Sequence, residues 1–473
     1  MKRTLTVIFS LLILLPAFAA QEAEKKSAPV KEHLQNHFKI YGFIRNYFVF
    51  DSRESKAGTG DLFYYLPLDN KWNTSSLSNP AREDLNASPN FRFLALTSRV
   101  AFDVSGYYIN NLHFGAKVEC DFYSGLSKLT STTGLSGNTN VSGTAQARLR
   151  QAYVTLTWKD LAMKGEQTAQ VGLKIGQAWH PMAADMPHIF SLETGAPFGP
   201  FSRTPQVTVD ASLGKNWIVS ASAIWQQQYM SAGPDGASAS YQKYACTPEA
   251  YAGVSYKGKD FLVRGGVDVV SIKPRNIGKN ADGLTVHVKD RKTSVLGFLY
   301  GQYSYKMLQV KAKTTFGEGG EHMNLMSGYA VVDKSDPTNW KYASLINSSS
   351  WVSASYGKKW QGVLFLGYAK NFGLAKPAEE GYVKKSDVYF CSNGFSNINQ
   401  LYRINPQGLY NFGKFTVGVE YQWTAVQYGK YINGELKDTN ETVELLNGIG
   451  LPWQDTLHWV GNHRVNVMVK FTF

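Results

Sequence analysis

Ten cationic side chains, Arg45, Arg99, Lys117, Arg148, Arg150, Lys174, Arg264, Lys311, Lys313 and Arg464, fall on the polar side of segments in which apolar and polar residues alternate. Six carboxylates, Glu119, Asp121, Asp210, Glu249, Asp268 and Glu420, share that side, so cations are in excess. Cations lining a narrow aqueous space with low-dielectric walls focus their field and concentrate anions. The alternative is that they pair with the carboxylates and stiffen the wall that carries them. Covalent and metal chemistry leave little trace: there is no Gly-x-Ser-x-Gly, no Walker loop and no His-Glu-x-x-His. Gly317-Glu318-Gly319-Gly320 lacks a following Lys-Ser or Lys-Thr and reads as a turn. His33 and His37 are four apart without a third ligand and read as solvated, so no metal, cofactor or catalytic residue is assigned. A net charge of +13 raises nucleic acid as a partner, but cations dispersed at period two, without a basic helix, argue against it.

Side chains at period two need β-strands to position them. Alternating, aromatic and β-branched runs between turn signals give strands near 38–50, 91–104, 111–122, 146–158, 169–177, 206–213, 217–227 and 248–256. A second set follows near 261–271, 293–304, 308–316, 341–356, 361–372, 397–410, 415–427 and 461–473, making sixteen. Their connections alternate in length. The long ones are 51–90, 123–145, 178–205, 228–247, 272–292, 317–340, 373–396 and 428–460. Between them come the short ones: 105–110, 159–168, 214–216, 257–260, 305–307, 357–360 and 411–414. Short turns on one side and long loops on the other are what an up-and-down transmembrane barrel produces. Trp217 and Trp225 bracket Val219, Ala221 and Ala223 on one face, as two aromatic girdles would. Strands 293–304 and 361–372 are apolar on both faces and cannot be oriented, and Pro406 makes 397–410 the least secure strand.

The chain ends fit this reading. Val465, Val467, Val469, Phe471 and Phe473 share one face of the last segment, and Arg464, Asn466, Met468, Lys470 and Thr472 the other. At the start, Lys2 and Arg3, the apolar run 5–15 and Ala17-Phe18-Ala19 have the layout of a secretory signal peptide over 1–19. Residues 20–37 are charged and aromatic-free, a flexible periplasmic lead-in, and 38–473 form one barrel domain. Three cysteines, Cys120, Cys246 and Cys391, leave at least one unpaired, with Cys120 chosen on a lipid-facing position.

Several short motifs in order resemble the bacterial general diffusion porins. They are Ile40-Tyr41-Gly42-Phe43-Ile44-Arg45, Ser98-Arg99-Val100-Ala101-Phe102, Arg150-Gln151-Ala152-Tyr153-Val154-Thr155-Leu156, and Phe198-Gly199-Pro200-Phe201-Ser202-Arg203 at the end of the third long loop. The C-terminal strand with its terminal Phe473 is similar to the assembly signal of such barrels. The resemblance covers roughly 38–473 in layout and implies a sixteen-stranded antiparallel up-and-down barrel, all-β, with the third long loop folded into the lumen. It further implies a pore constriction of Arg45, Arg99, Arg150 and Arg203 faced by Asp185 and Glu193 of that loop, with Lys117, Arg148, Lys174, Arg264 and Arg464 as further lumen cations. The chain departs from the family's acidic loop tip, having Leu192-Glu193-Thr194-Gly195-Ala196-Pro197 there. Gly-Gln-Ala-Trp at 176–179 leans toward the DcaP-like or phosphate-selective porin-like branches.

What this implies is a non-enzymatic outer-membrane channel for small hydrophilic, anionic solutes. Its partners would be outer-membrane lipid, the barrel assembly machinery and two further copies in a homotrimer. Two rivals differ in class. An outer-membrane lipase needs Ser, His and an acidic or amide group on neighbouring lipid-facing strands, but His113 is the mid-strand histidine found and it faces inward. A surface adhesin or sugar-binding barrel would use Trp72, Trp340, Trp453 and Trp459 in or near long loops.

Overall fold

The computed structural model describes residues 37–473 except 59–62, 74–79, 95–97, 125–144, 163–167, 192–193, 380–382, 392–394, 396–397, 430–441 and 444–456. The signal-peptide reading, all of the lead-in but His37, and Glu193 and Trp453 lie outside the described residues.

Sixteen antiparallel strands close into one barrel. They are β1 (Phe38–Asp51), β2 (Asn90–Leu94 continued by Arg99–Ile109), β3 (Leu112–Ser124), β4 (Ala145–Ala162), β5 (Thr168–Trp179), β6 (Arg203–Leu213), β7 (Trp217–Ile224) and β8 (Glu249–Lys257). The other half is β9 (Phe261–Ile272), β10 (Lys292–Tyr305), β11 (Leu308–Glu318), β12 (Lys341–Gly357), β13 (Trp360–Leu374), β14 (Ile398–Phe412), β15 (Phe415–Tyr428) and β16 (His458–Thr472). Each of the sixteen expected strands is present, with ends moved by a few residues. Closure comes from β16 beside β1, in register from Phe43↔Thr472 to Asp51↔Arg464. Phe473 completes that seam by exchanging backbone bonds with Gly42, at 3.2 and 3.1 Å.

The short links are tight because their residues tolerate positive φ. Asn110 (φ 54°) turns β2 into β3, and Gly413 (φ 59°) turns β14 into β15. Pro406 is accommodated at a ladder gap. It pairs with Leu364 of β13, whereas the register with β15 passes from Ile404↔Trp423 to Gln407↔Glu420 and leaves Asn405 and Pro406 out.

Outward positions form an apolar band that includes Val209, Val219, Val267, Val295, Leu364, Val419 and Val469, all exposed. Beside the short turns an aromatic girdle runs from Trp217 and Tyr256 (ring centroids 4.8 Å apart) to Phe261, and from Trp360 and Tyr410 (4.4 Å) through Phe412 and Phe415 to Phe471. A second group beside the long loops includes Trp225, Phe316 with Phe372, and Tyr402 with Trp459. The two strands that sequence could not orient now have faces. In β10, Val295 and Leu299 point out while Leu296, Phe298 and Tyr300 are buried; in β13, Leu364 and Leu366 point out while Val363, Phe365 and Ala369 are buried.

The largest buried cluster joins inward side chains from β7 round to β16 with Met182, Ala196, Phe198 and Phe201, which lie between β5 and β6. Small residues permit close approach there. A Cβ on Gly367 would sit 2.5 Å from the Phe198 ring, and one on Gly199 2.7 Å from Trp351 Nε1. No disulfide joins the three cysteines to one another; Cys120 is partly exposed, Cys246 exposed and Cys391 buried.

Candidate functional site

The inner face of β2, β3 and β4 carries a lattice of charge. Asp121 accepts two bonds from Arg148, through Nε (2.9 Å) and Nη2 (2.8 Å), and one from Arg150 Nη1 (2.6 Å). Glu119 accepts from Arg150 Nε at 2.6 Å and has Arg99 Nη1 at 3.8 Å. The ladder between β3 and β4 passes from Glu119↔Gln151 to Cys120↔Leu149, so Arg150 is the extra residue of a β-bulge. A bulge re-aims the side chain it carries, and here it lets Arg148 and Arg150 meet the same carboxylate. The pairs are nearly dry: Glu119, Asp121 and Arg150 are 6%, 7% and 5% exposed.

Two more guanidiniums flank this lattice. Arg45 stacks on Phe43 (4.7 Å) and Tyr47 (5.1 Å), while its backbone N–H donates to Ser98 Oγ. Arg203 donates through Nε to Gln228 Oε1 at 3.0 Å and lies over Trp179, 4.9 Å from the ring centre, which Arg150 approaches from 5.7 Å. The charge of Arg150 acts on Arg45, Arg99 and Arg203. The structure therefore brings together the four expected arginines, with Arg148, around Glu119 and Asp121.

The other expected residues are placed differently. Asp185 does not face Arg99 or Arg150; its carboxylate accepts from Arg264 Nη1 of β9 at 2.8 and 2.7 Å. Lys117 pairs with Asp103 at 3.3 Å, and Lys174 lies over Tyr153. Arg464 joins Asp51 at 2.7 Å in a second group with Arg92. Phe473 sits at the seam.

Segment 180–202, between β5 and β6, bonds to side chains of many strands. Lys311 Nζ donates to Met186 O (3.3 Å), and Lys313 Nζ donates to Met182 O. His188 N–H donates to Ser353 Oγ of β12 (3.0 Å), and Phe190 N–H to Gln407 Oε1 of β14 (3.2 Å). Gln422 of β15 donates to Ser191 Oγ (3.0 Å), and Tyr47 of β1 donates to Phe190 O. Burial and the charge of Lys311 hold the His188 imidazole below its ordinary pKa.

Sequence reading missed Arg403, the largest of the fully buried side chains, whose Nε donates to Thr424 Oγ1 at 2.9 Å beneath the Phe198 ring. Its signal was present, since Arg403, Asn405 and Gln407 share one face of β14. It also missed the buried group His180, Glu249, Asp268 and His322, whose members are too far apart in sequence to form a motif. The mid-strand histidines include His463, which is exposed on β16 with Nδ1 2.7 Å from Tyr421 Oη. The loop tryptophans are covered by cations: Arg82 lies 3.8 Å over Trp72, and Arg275 3.4 Å over Trp340. Trp459 points outward beside Tyr402.

No protein-family model and no curated protein matches the chain. Among solved structures it is similar to the outer membrane channel DcaP of Acinetobacter baumannii, at 16% identity and a TM-score of 0.58, covering 92% of this chain and 97% of that one. It is also similar to an anion-selective porin from Comamonas acidovorans (8% identity, TM-score 0.48, 92% and 99% covered). OmpT of Vibrio cholerae gives 11% identity and a TM-score of 0.47, with 92% and 97% covered. The DcaP likeness is one of fold: a sixteen-stranded barrel of the porin type.

Proposed function

We propose that this chain is an outer-membrane porin, a passive channel for small hydrophilic solutes that favours anions. An outward apolar band between two aromatic groups suits a bilayer, and a closed barrel leaves no strand edge unpaired in it. Segment 180–202 is the constriction in this reading, because it bonds to strands from β9 round to β1 and so would cross the lumen. The observation that carries the anion preference is the gathering of Arg45, Arg99, Arg148, Arg150 and Arg203 around Glu119 and Asp121. A passing anion would exchange part of its hydration for guanidinium contacts, each unit charge at ~4 Å being worth ~1 to 4 kcal/mol. The porin-type fold is the ground for expecting a homotrimer. Lys117, Lys174, Arg264 and Arg464 line the wall as secondary cations, and no residue has a catalytic role.

Reversal potential across a planar bilayer in a salt gradient tests this reading. Steady ohmic steps with the potential on the anion side are expected, and an unheated sample should migrate differently from a boiled one on a denaturing gel. Absence of conductance from a heat-modifiable barrel would leave the surface-binding reading, and a cation-side potential would remove the anion preference.

A further inference from the structure

The first turn of segment 180–202 is fastened by a buried group that the charge lattice does not involve. His180 caps the 3-10 turn Pro181–Ala183, Glu249 opens β8, Asp268 lies in β9, and His322 sits in the turn Glu321–Met323. All four are at least 97% buried. Their ligand atoms converge. His180 Nε2 is 2.6 Å from Glu249 Oε1 and 3.6 Å from Asp268 Oδ1, while His322 Nε2 is 3.2 Å from Glu249 Oε1 and 3.8 Å from Asp268 Oδ2. One atom from each of His180, Glu249 and Asp268 can be chosen so that all lie within 4.8 Å of one another. Several polar atoms in this dry space have no hydrogen-bond partner, namely Glu249 Oε2, Asp268 Oδ1 and both ring nitrogens of His322. Leaving such atoms buried and unsatisfied is unfavourable, because they have given up water without a replacement partner.

We infer that His180, Glu249, Asp268 and His322 form a structural site for one divalent transition-metal ion of the zinc class. Two imidazoles and two carboxylates are a zinc donor set, and bonds of about 2.0–2.2 Å put tetrahedral ligand atoms about 3.4 Å apart. Three of the four measured separations lie within 0.4 Å of that edge, counting Asp268 through Oδ1 toward His180 and through Oδ2 toward His322. The His180–Glu249 hydrogen bond at 2.6 Å must open. The ion's two positive charges cancel the two carboxylates, which gives a buried site neutrality. Nearby Lys292 and Glu321, 3.0 Å apart, already form a separate neutral pair. His180 Nδ1 accepts the Met182 N–H at 3.1 Å, so the ring proton sits on Nε2 in the metal-free form. Ligation through Nε2 moves that proton to Nδ1 and breaks the Met182 bond, so loading resets the turn. The ion would clamp three places: the start of segment 180–202, the wall at β8 and β9, and the loop 319–327, whose Met323 O already accepts from Phe201 N–H. This site does not depend on the channel reading and stands or falls separately from it.

The test uses the full-length barrel extracted in detergent, stripped with a chelator during refolding, and refolded with Zn2+ or with Co2+. After removal of free metal, elemental analysis should find about one zinc per folded chain, and the Co2+ form should show the intense visible absorption of tetrahedral cobalt. His322→Gln combined with Glu249→Gln should weaken zinc by at least about 100-fold, the upper end of what losing an outer-shell partner costs. Zinc retained equally by that double variant, or absent from the wild type, overturns the inference. If the double variant does not fold, the wild-type cobalt spectrum decides, since a pale octahedral spectrum excludes the proposed ligand set.

Discussion

Across β2 to β4 the inner wall is a charged lattice, whereas across β10 to β13 it is rich in large apolar side chains, with Leu296, Phe298, Tyr300, Trp351 and Phe365 buried among Lys313, Thr315 and Ser353. Both arcs obey the same alternation, yet they solve burial differently. In the charged arc each strand finds its counter-charges on the next strand, as Arg148 and Arg150 find Asp121. The apolar arc cannot be left against water, because each large side chain exposed there forgoes ~1.5 to 3 kcal/mol of burial. Phe198, Met182 and Ala196 of segment 180–202 cover it. A polar arc can thus face a passage, while an apolar arc must carry a lid.

Deleting residues 183–197 should break this contrast most severely. The arc would lose its cover and, in the proposed channel, the constriction would be gone, so conductance should rise severalfold at both low and high salt. An unchanged single-channel step would mean that the segment does not narrow the path. Next in size, Arg99→Ala with Arg150→Ala should abolish or reverse the anion preference at low salt. Because Glu119 and Asp121 would then be buried with fewer partners, a stability loss of about 3 to 5 kcal/mol is expected, and adding Glu119→Gln should recover much of it. At 1 M salt, where the Debye length is ~3 Å, the selectivity change should fade. A wild-type reversal potential at low salt would make these arginines ordinary wall residues.

Gly367→Ala sharpens the comparison from the apolar side. The new methyl meets the Phe198 ring, and overpacking of this kind costs about 1 to 3 kcal/mol. Noisier channels with unchanged ion preference are expected. A shift of selectivity instead would show that the two arcs are coupled.

The smallest effect belongs outside the wall. Asp84 holds the 52–89 loop by accepting from Arg53 Nη1 (2.6 Å), Lys71 N–H (2.8 Å) and Asn86 N–H (3.1 Å). Although burial opposes it, these bonds lower its pKa below the ordinary 3.8. A depressed carboxylate stabilises fully above its unfolded pKa and loses that contribution as pH falls through the folded value. Proteolysis of the loop should therefore quicken below about pH 4, and Asp84→Asn should quicken it at neutral pH, with conductance unaltered. A pH-independent cleavage rate would remove this role for Asp84.

Much of this architecture was legible because its causes are local. A strand puts alternate side chains on opposite faces whatever its neighbours do, so Arg45, Arg99 and Arg464 could be assigned to the inner face before any pairing was known. Loop lengths showed the sidedness of the barrel, and the terminal alternation up to Phe473 marked the strand that closes it. Strands 293–304 and 361–372 were illegible for a physical reason: their inner faces are apolar because segment 180–202 rests on them, and that contact is non-local.

Pairing belonged to tertiary structure throughout. Asp185 meets Arg264 across 79 residues rather than the arginines expected of it, and no spacing rule connects them. The bulge at Arg150 arises from the register between β3 and β4, and one extra residue is enough to turn a guanidinium toward a different carboxylate. His180 and His322 meet only because two loops fold onto the same two strands. Where a segment alternates clearly, the order of its residues already sets which of them face inward, since that follows from the two-residue period of a strand. Which inward charges neutralise one another, and which apolar side chains stay dry, only the closed barrel decided, because those outcomes depend on strand register and on where one long loop comes to rest.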